Sequence, residues 1–341
     1  MFTMGMKTKA AVAIVILLVL LGSMWLQGGL DNHWHSCLTG FPKEQKPVII
    51  TILNDTDTDS ERAADIIPLG ECPGQDFQVS RLLSHLLAAP VSTSDVLLLP
   101  YLSSWDELIR FMKALGPMVG LISQEIDGKT SIIRQLARED AERQKERAHE
   151  EEDREGKEHI HAKTDGKVEE MLGPQTGIAD PMTEGKGFAG EEQGFPDFGE
   201  SYLSVRSMIR LELSQGTVSF EEQTDSGCRT LLRLHRALLW LQLFLKKLAE
   251  KPEAGMRLRS PSELCREAYQ QTLAHHHTWL VRRAAELAFL AMPDRGFFIR
   301  LVCGQDQEEA ASVLNRVVRA IGEVYQRTQG ALEVHGMLKL P

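Results

Sequence analysis

The stretch that most constrains the fold runs from Cys228 to Lys247 and reads CRTLLRLHRALLWLQLFLKK. Between Ala237 and Leu245 it is apolar on every face except at Gln242, which predicts a helix buried on all sides. Its first turns also carry three arginines on one helical stripe: Arg229, Arg233 and Arg236. A cationic stripe on a buried helix requires an anion beside it, either a carboxylate of the chain or a phosphate of a ligand.

The composition and the hydrophobic pattern favour a helical protein that does not bind nucleic acid. The chain has 341 residues, with 38 basic and 48 acidic side chains and a net charge of -10. Nucleic-acid-binding proteins usually present a basic surface to phosphates, so this charge argues against that class. Helical periodicity begins at Phe77 and recurs to the carboxyl terminus, without an alternating strand series. We therefore predict an all-α fold.

The amino terminus has the features of a secretory-pathway segment. Residues 10–21 are wholly apolar and follow Lys7 and Lys9, which is the order of charge and hydrophobicity in a signal peptide. Continued to Leu26, the apolar run is just long enough to span a membrane. We expect residues 1–27 to be a cleaved signal peptide or a signal anchor, either of which places the remainder of the chain on the lumenal side.

The five cysteines give a different indication of the compartment. An odd number, with three inside helical patterns, is typical of a protein from a reducing compartment. In an oxidising lumen, however, Cys37 and Cys72 can form a disulfide. The prediction from the cysteines and the prediction from the amino terminus therefore disagree, and both compartments stay open.

Two further segments differ in composition from the helical patterns. Residues 28–76 mix Gly, Asp, Thr and Pro and are predicted to form a linker or stalk before a domain of residues 77–341. Residues 137–201 are first dense in charge and then rich in Gly, Pro and Glu, which predicts a disordered, in part helical, insertion. His159 and His161 lie in this insertion, where a solvated tract is favoured over a metal site.

Five motifs carry, in their order and spacing, a resemblance to a known family. They are Tyr101–Trp105, Ile109–Gly116, Gly227–Arg236, Trp240–Phe244 and His277–Arg283. With them the chain resembles the glycolipid transfer protein superfamily, and most of all its ceramide-1-phosphate transfer branch. The similarity runs from Phe77 to Pro341, apart from the insertion. It implies a two-layer helical sandwich that holds one sphingolipid, with the head group at the surface and the chains in an apolar pocket.

The resemblance also implies the residues of the binding site. In the phosphate-binding branch a Lys and two Arg hold the phosphate, and they match Lys129, Arg229 and Arg233. An Arg at position 233, where glycolipid binders have a Trp, favours phosphate over sugar, because a guanidinium donates two parallel hydrogen bonds to phosphate oxygens. An Asp and a His hold the ceramide amide and match Glu125 and His277, so the longer Glu125 departs from the family.

The residues also allow simpler interpretations. Glu125 and Lys129 are four residues apart on a predicted helix, the spacing of an ordinary surface ion pair. Arg229 and Arg233 can pair with carboxylates of the chain instead of a ligand, the candidates being Glu222, Asp225 and Glu125. Arg236 is predicted to be structural or exposed. Trp279 is predicted to pack in the core or to lie at a membrane interface.

The expected function is therefore binding rather than catalysis. We expect transfer of ceramide 1-phosphate or a related phosphosphingolipid between membranes by a monomer that contacts the membrane surface. The alternative is a membrane-anchored sensor or tether that reads the lipid without net transfer. No catalytic or metal site and no cofactor are predicted, since no G-x-S-x-G motif or nucleophile–base constellation is found. Relatives of the fold act in the cytosol, which is the alternative to the secretory pathway.

Overall fold

The computed structural model describes residues 69–92, 94–164, 199–251 and 257–341, which lie in one compact unit extending from Pro68 to Pro341. The predicted signal segment at residues 1–27, Cys37 and most of the predicted linker fall outside these residues. Among the helices of the described ranges, none combines the length and the apolar character needed to cross a membrane.

Helices account for most of the described residues, which confirms the predicted all-α class. The α-helices are α1 (Val79–Ala88), α2 (Leu98–Ala114), α3 (Pro117–Thr164), α4 (Val205–Ser214), α5 (Gly227–Ala249), α6 (Pro261–Thr272), α7 (Trp279–Leu290), α8 (Arg295–Leu301) and α9 (Gln307–Val334). Short 3-10 turns occupy Glu200–Tyr202, Ala274–His276 and Met337–Lys339. The two-residue strands β1 (Pro90–Val91) and β2 (Asp95–Val96) pair antiparallel, with Pro90 opposite Val96.

The helices form two groups with α5 near the centre. Helices α1, α2 and α3 pack in series, and α9, α5 and α6 do the same. Contacts of α1 with α9 and of α3 with α5 join the groups, in agreement with the expected two-layer sandwich. Most apolar side chains of α5 are buried, among them Leu231, Leu238 and Phe244. The prediction that Ala237 to Leu245 is buried on all sides is therefore wrong on one side, where Leu239 and Leu243 continue the partly exposed arginine stripe.

The segment before α1 is part of the folded unit. Cys72 forms a disulfide with Cys303, which follows α8, across a Cα–Cα distance of 5.8 Å and a sequence separation of 231. The side chain of Gln75 also donates a hydrogen bond to the carbonyl of Leu301 at 2.7 Å. The compact unit thus begins before the expected domain start at Phe77. Because Cys72 is bonded to Cys303, the alternative pairing with Cys37 is wrong.

Helix α3 continues well beyond the predicted start of the disordered insertion. Residues 137–164 belong to this helix, so the described part of the predicted insertion is its helical part. Ala137 and Ala141 are buried, and Gln144 donates a hydrogen bond to the hydroxyl of Ser201 at 2.9 Å. Charged residues of high helix propensity therefore continue the helix beyond Ala137. Packing and the hydrogen bond of Gln144 hold the first turns of this continuation. Residues 165–198 lie outside the described ranges.

Candidate functional site

The arginine stripe of α5 meets the carboxyl-terminal segment of the chain. Arg229 Nε donates a hydrogen bond to the carbonyl of Pro341 at 2.5 Å, and Arg236 Nη2 donates one to the carbonyl of Leu338 at 3.0 Å. The predicted structural role of Arg236 fits this contact. The two outer members of the stripe are therefore tied to the segment that follows α9.

Arg233, between them, has a different environment. It is half-buried, and within the described ranges it forms no ion pair with a carboxylate. The alternative that Arg233 pairs with Glu222, Asp225 or Glu125 is therefore not observed. Burial and then the charge of Arg233 lower the pKa of Arg236, so the two guanidinium groups are close enough to repel each other. This concentration of positive charge favours an anion at the stripe.

A buried carboxylate on α4, not anticipated from the sequence, fixes the start of α5. Glu212 accepts hydrogen bonds from the backbone amides of Gly227 and Cys228 at 2.6 and 2.9 Å, and from the Tyr202 hydroxyl at 2.9 Å. A negative charge here also interacts favourably with the helix dipole. A Cβ at position 227 would lie 2.6 Å from Glu212 Oε1, so glycine is required. Glu212 thereby positions the turn that carries Arg229.

We expect Glu212→Gln to lower the free energy of unfolding by about 2 kcal/mol, because an amide cannot accept all of the bonds that the carboxylate accepts. Urea denaturation measures this change. The exposed Glu221→Gln, on the loop between α4 and α5, is the matched control and should change stability by less than about 0.5 kcal/mol. Equal stability of the two variants would contradict the positioning role of Glu212.

The predicted pair Glu125 and Lys129 lies on α3, which packs against α5. Lys129 Nζ is 2.5 Å from Glu125 Oε1, which is the ordinary i,i+4 ion pair allowed by the sequence. The Lys129 side chain is only 16% exposed, whereas that of Glu125 is 43% exposed. The pair and the arginine stripe therefore lie on neighbouring packed helices, and the observed partner of Lys129 is Glu125.

His277 lies just before α7 and bonds to α6. Its Nδ1 is 2.8 Å from the Tyr269 hydroxyl, and burial together with the charges of His275 and Arg282 lowers its pKa to about 4. Burial and the charge of Arg236 likewise lower the pKa of His276 to about 4. His276 is therefore close to Arg236, the last member of the arginine stripe. The described residues contain no His, Cys, Asp and Glu cluster suited to a metal.

Helix α7 exposes an apolar face. Trp279 and Leu290 are 65% and 68% exposed, and Leu280 and Leu287 are exposed between them. The guanidinium of Arg283 lies 5.9 Å from the centroid of the Trp279 ring. Exposed aromatic and aliphatic side chains beside cationic ones are typical of a surface that contacts a membrane. Of the two predicted positions for Trp279, the core is therefore excluded.

Known proteins are similar to this chain in sequence. The family model described as Glycolipid transfer protein (GLTP) matches residues 192–304. The ceramide-1-phosphate transfer protein of Xenopus laevis is 32% identical over 271 residues, covering 78% of this chain and 98% of the relative. The human ceramide-1-phosphate transfer protein is 31% identical over 250 residues, covering 72% and 88%.

A solved structure agrees with the sequence comparison. The crystal structure of human ceramide-1-phosphate transfer protein in complex with 2:0 ceramide-1-phosphate has a TM-score of 0.55 and 29% identity, covering 77% of this chain and 98% of that chain. The fold and the extent of the sequence match thus point to the same family. The chain belongs to the glycolipid transfer protein family, whose members bind and transfer lipids and are not enzymes.

Proposed function

We propose that the protein binds ceramide 1-phosphate or a related phosphosphingolipid and transfers it between membranes. The observation that carries this proposal is Arg233, which is half-buried on α5 without an ion pair among the described residues. Arg229 and Arg236 flank it on the same stripe. A phosphate monoester supplies the anion that such a stripe requires, and a guanidinium binds it with two parallel hydrogen bonds. The relatives named above support this choice of lipid.

The phosphate is held in this proposal by Arg229, Arg233 and Lys129. Arg229 keeps its hydrogen bond to the carbonyl of Pro341, which fixes its side chain before the lipid arrives. Lys129 adds a positive charge, and its ammonium group can bond to Glu125 and to a phosphate oxygen at the same time, because it has three donors. Phosphate binding therefore does not require the ion pair to break.

Glu125 and His277 bind the ceramide amide in this proposal. At neutral pH His277 is uncharged, and Tyr269, whose pKa is raised to about 12 mainly by burial, keeps its hydroxyl proton. If that hydroxyl donates to Nδ1, the histidine proton lies on Nε2 and can be donated to the amide carbonyl. The carboxylate of Glu125 accepts from the amide N–H, with one methylene more than the family's Asp.

The lipid chains enter the apolar interior between the two groups of helices. Burial of each CH₂ contributes about 0.8 kcal/mol, which is close to what that group loses on leaving the bilayer. The lipid chains therefore contribute about the same affinity for all lipids whose chains have a similar length. Discrimination between lipids comes from the head group, and in this protein from the cationic stripe.

The exposed face of α7 is the proposed membrane contact. We expect Trp279→Ala to slow lipid transfer about 10-fold, because burial of the indole at the bilayer interface is lost. Phe220→Ala is the matched control, since Phe220 is also an exposed aromatic residue but lies on the loop between α4 and α5. Transfer rates from donor to acceptor vesicles measure both. Equal rates for the two variants would exclude α7 as the contact.

We infer that the domain folds in an oxidising compartment. The disulfide between Cys72 and Cys303 supports this inference, because disulfides persist in the secretory pathway and are rare in the cytosol. The apolar segment at residues 10–26 is consistent with it. If that segment is retained as an anchor, the domain is held at one membrane and acts as the sensor or tether named above.

The proposed specificity is tested by lipid uptake. The protein is incubated with vesicles that contain ceramide 1-phosphate and a neutral glycosphingolipid in equal amounts, reisolated, and analysed for bound lipid. We expect ceramide 1-phosphate in a ratio of about one lipid to one protein, with little of the glycosphingolipid. Equal recovery of the two lipids, or preference for the neutral one, would exclude a phosphate-specific site.

A further inference from the structure

A polar cleft lies between α6 and α7, on residues that the proposed lipid site does not use, apart from the histidine partner Tyr269. Its volume is about 330 Å³. The polar side chains that line it are Arg266, Tyr269, Gln270, His275, Arg282 and Glu286. Neither Arg229 nor Arg233 lines it, so the cleft is a second place where a ligand can be held.

The cleft has more positive than negative charge. Arg266 from α6 and Arg282 from α7 line it from opposite helices, and neither guanidinium forms an ion pair within the described ranges. Glu286 is the acidic side chain of the lining, and it is already paired with Arg283 at 2.8 Å. Burial raises the pKa of Tyr269, which lines the cleft, and the charge of Arg282 opposes this rise, so the guanidinium acts on a group inside the cleft. An anion is therefore the complementary ligand.

The cleft and the exposed apolar face share one helix. Arg282 follows Trp279 by three residues, so the two side chains belong to the same turn of α7. When Trp279 enters the bilayer interface, Arg282 is brought to the level of the lipid head groups. Cationic side chains at that level attract anionic phospholipids.

We propose that the cleft between α6 and α7 binds the phosphate of an anionic phospholipid that remains in the bilayer. Arg266 and Arg282 donate to the phosphate oxygens from opposite helices, and the Gln270 side chain is available for the rest of the head group. The inference rests on the proposed membrane contact of α7. It is independent of the transferred lipid, because it uses neither arginine of the proposed phosphate site.

The test measures binding of the protein to vesicles without sphingolipid. Phosphatidylcholine vesicles are compared with vesicles that contain about 20% phosphatidic acid, and bound protein is quantified by sedimentation. We expect Arg266→Gln/Arg282→Gln to weaken binding to the acidic vesicles at least about 10-fold and to leave binding to pure phosphatidylcholine unchanged. Glu286→Gln should strengthen binding to the acidic vesicles, because it removes the negative charge from the cleft.

Arg138→Gln/Arg300→Gln is the matched control. It also removes two positive charges, but from exposed positions on α3 and α8 that lie outside the cleft. An equal loss in the control and the cleft variant would overturn the proposal in favour of unspecific attraction. Full competition by millimolar inorganic phosphate would also overturn it, because the ligand would then be a soluble ion. A wrong assignment of the transferred lipid would leave these results unchanged, since the vesicles contain no sphingolipid.

Discussion

Arg233→Leu is expected to lower the uptake of ceramide 1-phosphate about 100-fold while the protein stays folded. The loss corresponds to two charge-assisted hydrogen bonds to the phosphate, at about 1.5 kcal/mol each. The fold should tolerate the change because Arg233 has no carboxylate partner among the described residues that would be left unpaired. Leucine is also a good helix former and is frequent on this helix. Lipid recovered from reisolated protein gives the uptake, and thermal denaturation gives the stability.

Two further variants separate the charge of Arg233 from its shape. Arg233→Lys keeps the charge but loses the two parallel hydrogen bonds, so we expect an intermediate loss of about 10-fold. Arg300→Leu removes an exposed arginine from α8 and should leave uptake unchanged. If folded Arg233→Leu protein takes up ceramide 1-phosphate as the unmodified protein does, the phosphate is bound elsewhere.

Removal of the disulfide is expected to have the largest effect on stability. The bond joins residues separated by 231 positions, and a cross-link that closes so long a chain segment restricts the unfolded state strongly. We expect Cys72→Ser/Cys303→Ser to lower the free energy of unfolding by about 4 kcal/mol. Unfolding of the variant should begin near α8, because Cys72 and the Gln75 side chain attach the segment before α1 at this place. Urea denaturation of both proteins measures the difference.

Reducing agent provides the control for this experiment. It should destabilise the unmodified protein by a similar amount and leave the serine variant unaffected, because the variant lacks the disulfide of the described domain. Cys228 and Cys265 are free and buried, so they do not contribute to this response. A serine variant within about 1 kcal/mol of the unmodified protein would show that the disulfide contributes little to the folded domain.

The features that the sequence predicts well are those encoded locally. The apolar run of α5 and the spacing of its arginines are visible within one stretch, since helical periodicity alone decides which side chains share a face. The same holds for the ion pair of Glu125 and Lys129, whose spacing on α3 determines their contact. The all-α class follows from many such stretches.

The features that the sequence does not predict depend on tertiary contacts. The partner of Cys72 is separated from it by 231 positions, so no local pattern connects them. Glu212 has the appearance of a polar residue on an amphipathic helix, yet it is buried because α4 packs against the start of α5. The extent of helix α3 is not predicted for another reason, because a charge-dense composition suits both a solvated helix and a disordered segment.

The most direct measurement is the movement of two labelled lipids between vesicles by the same protein. Labelled ceramide 1-phosphate and a labelled neutral glycosphingolipid are placed in donor vesicles, and their appearance in acceptor vesicles is followed. We expect ceramide 1-phosphate to move and the glycosphingolipid to stay, with movement lost in Arg233→Leu. Movement of both lipids at equal rates, or of neither by folded protein, would contradict a transfer protein selective for phosphosphingolipids.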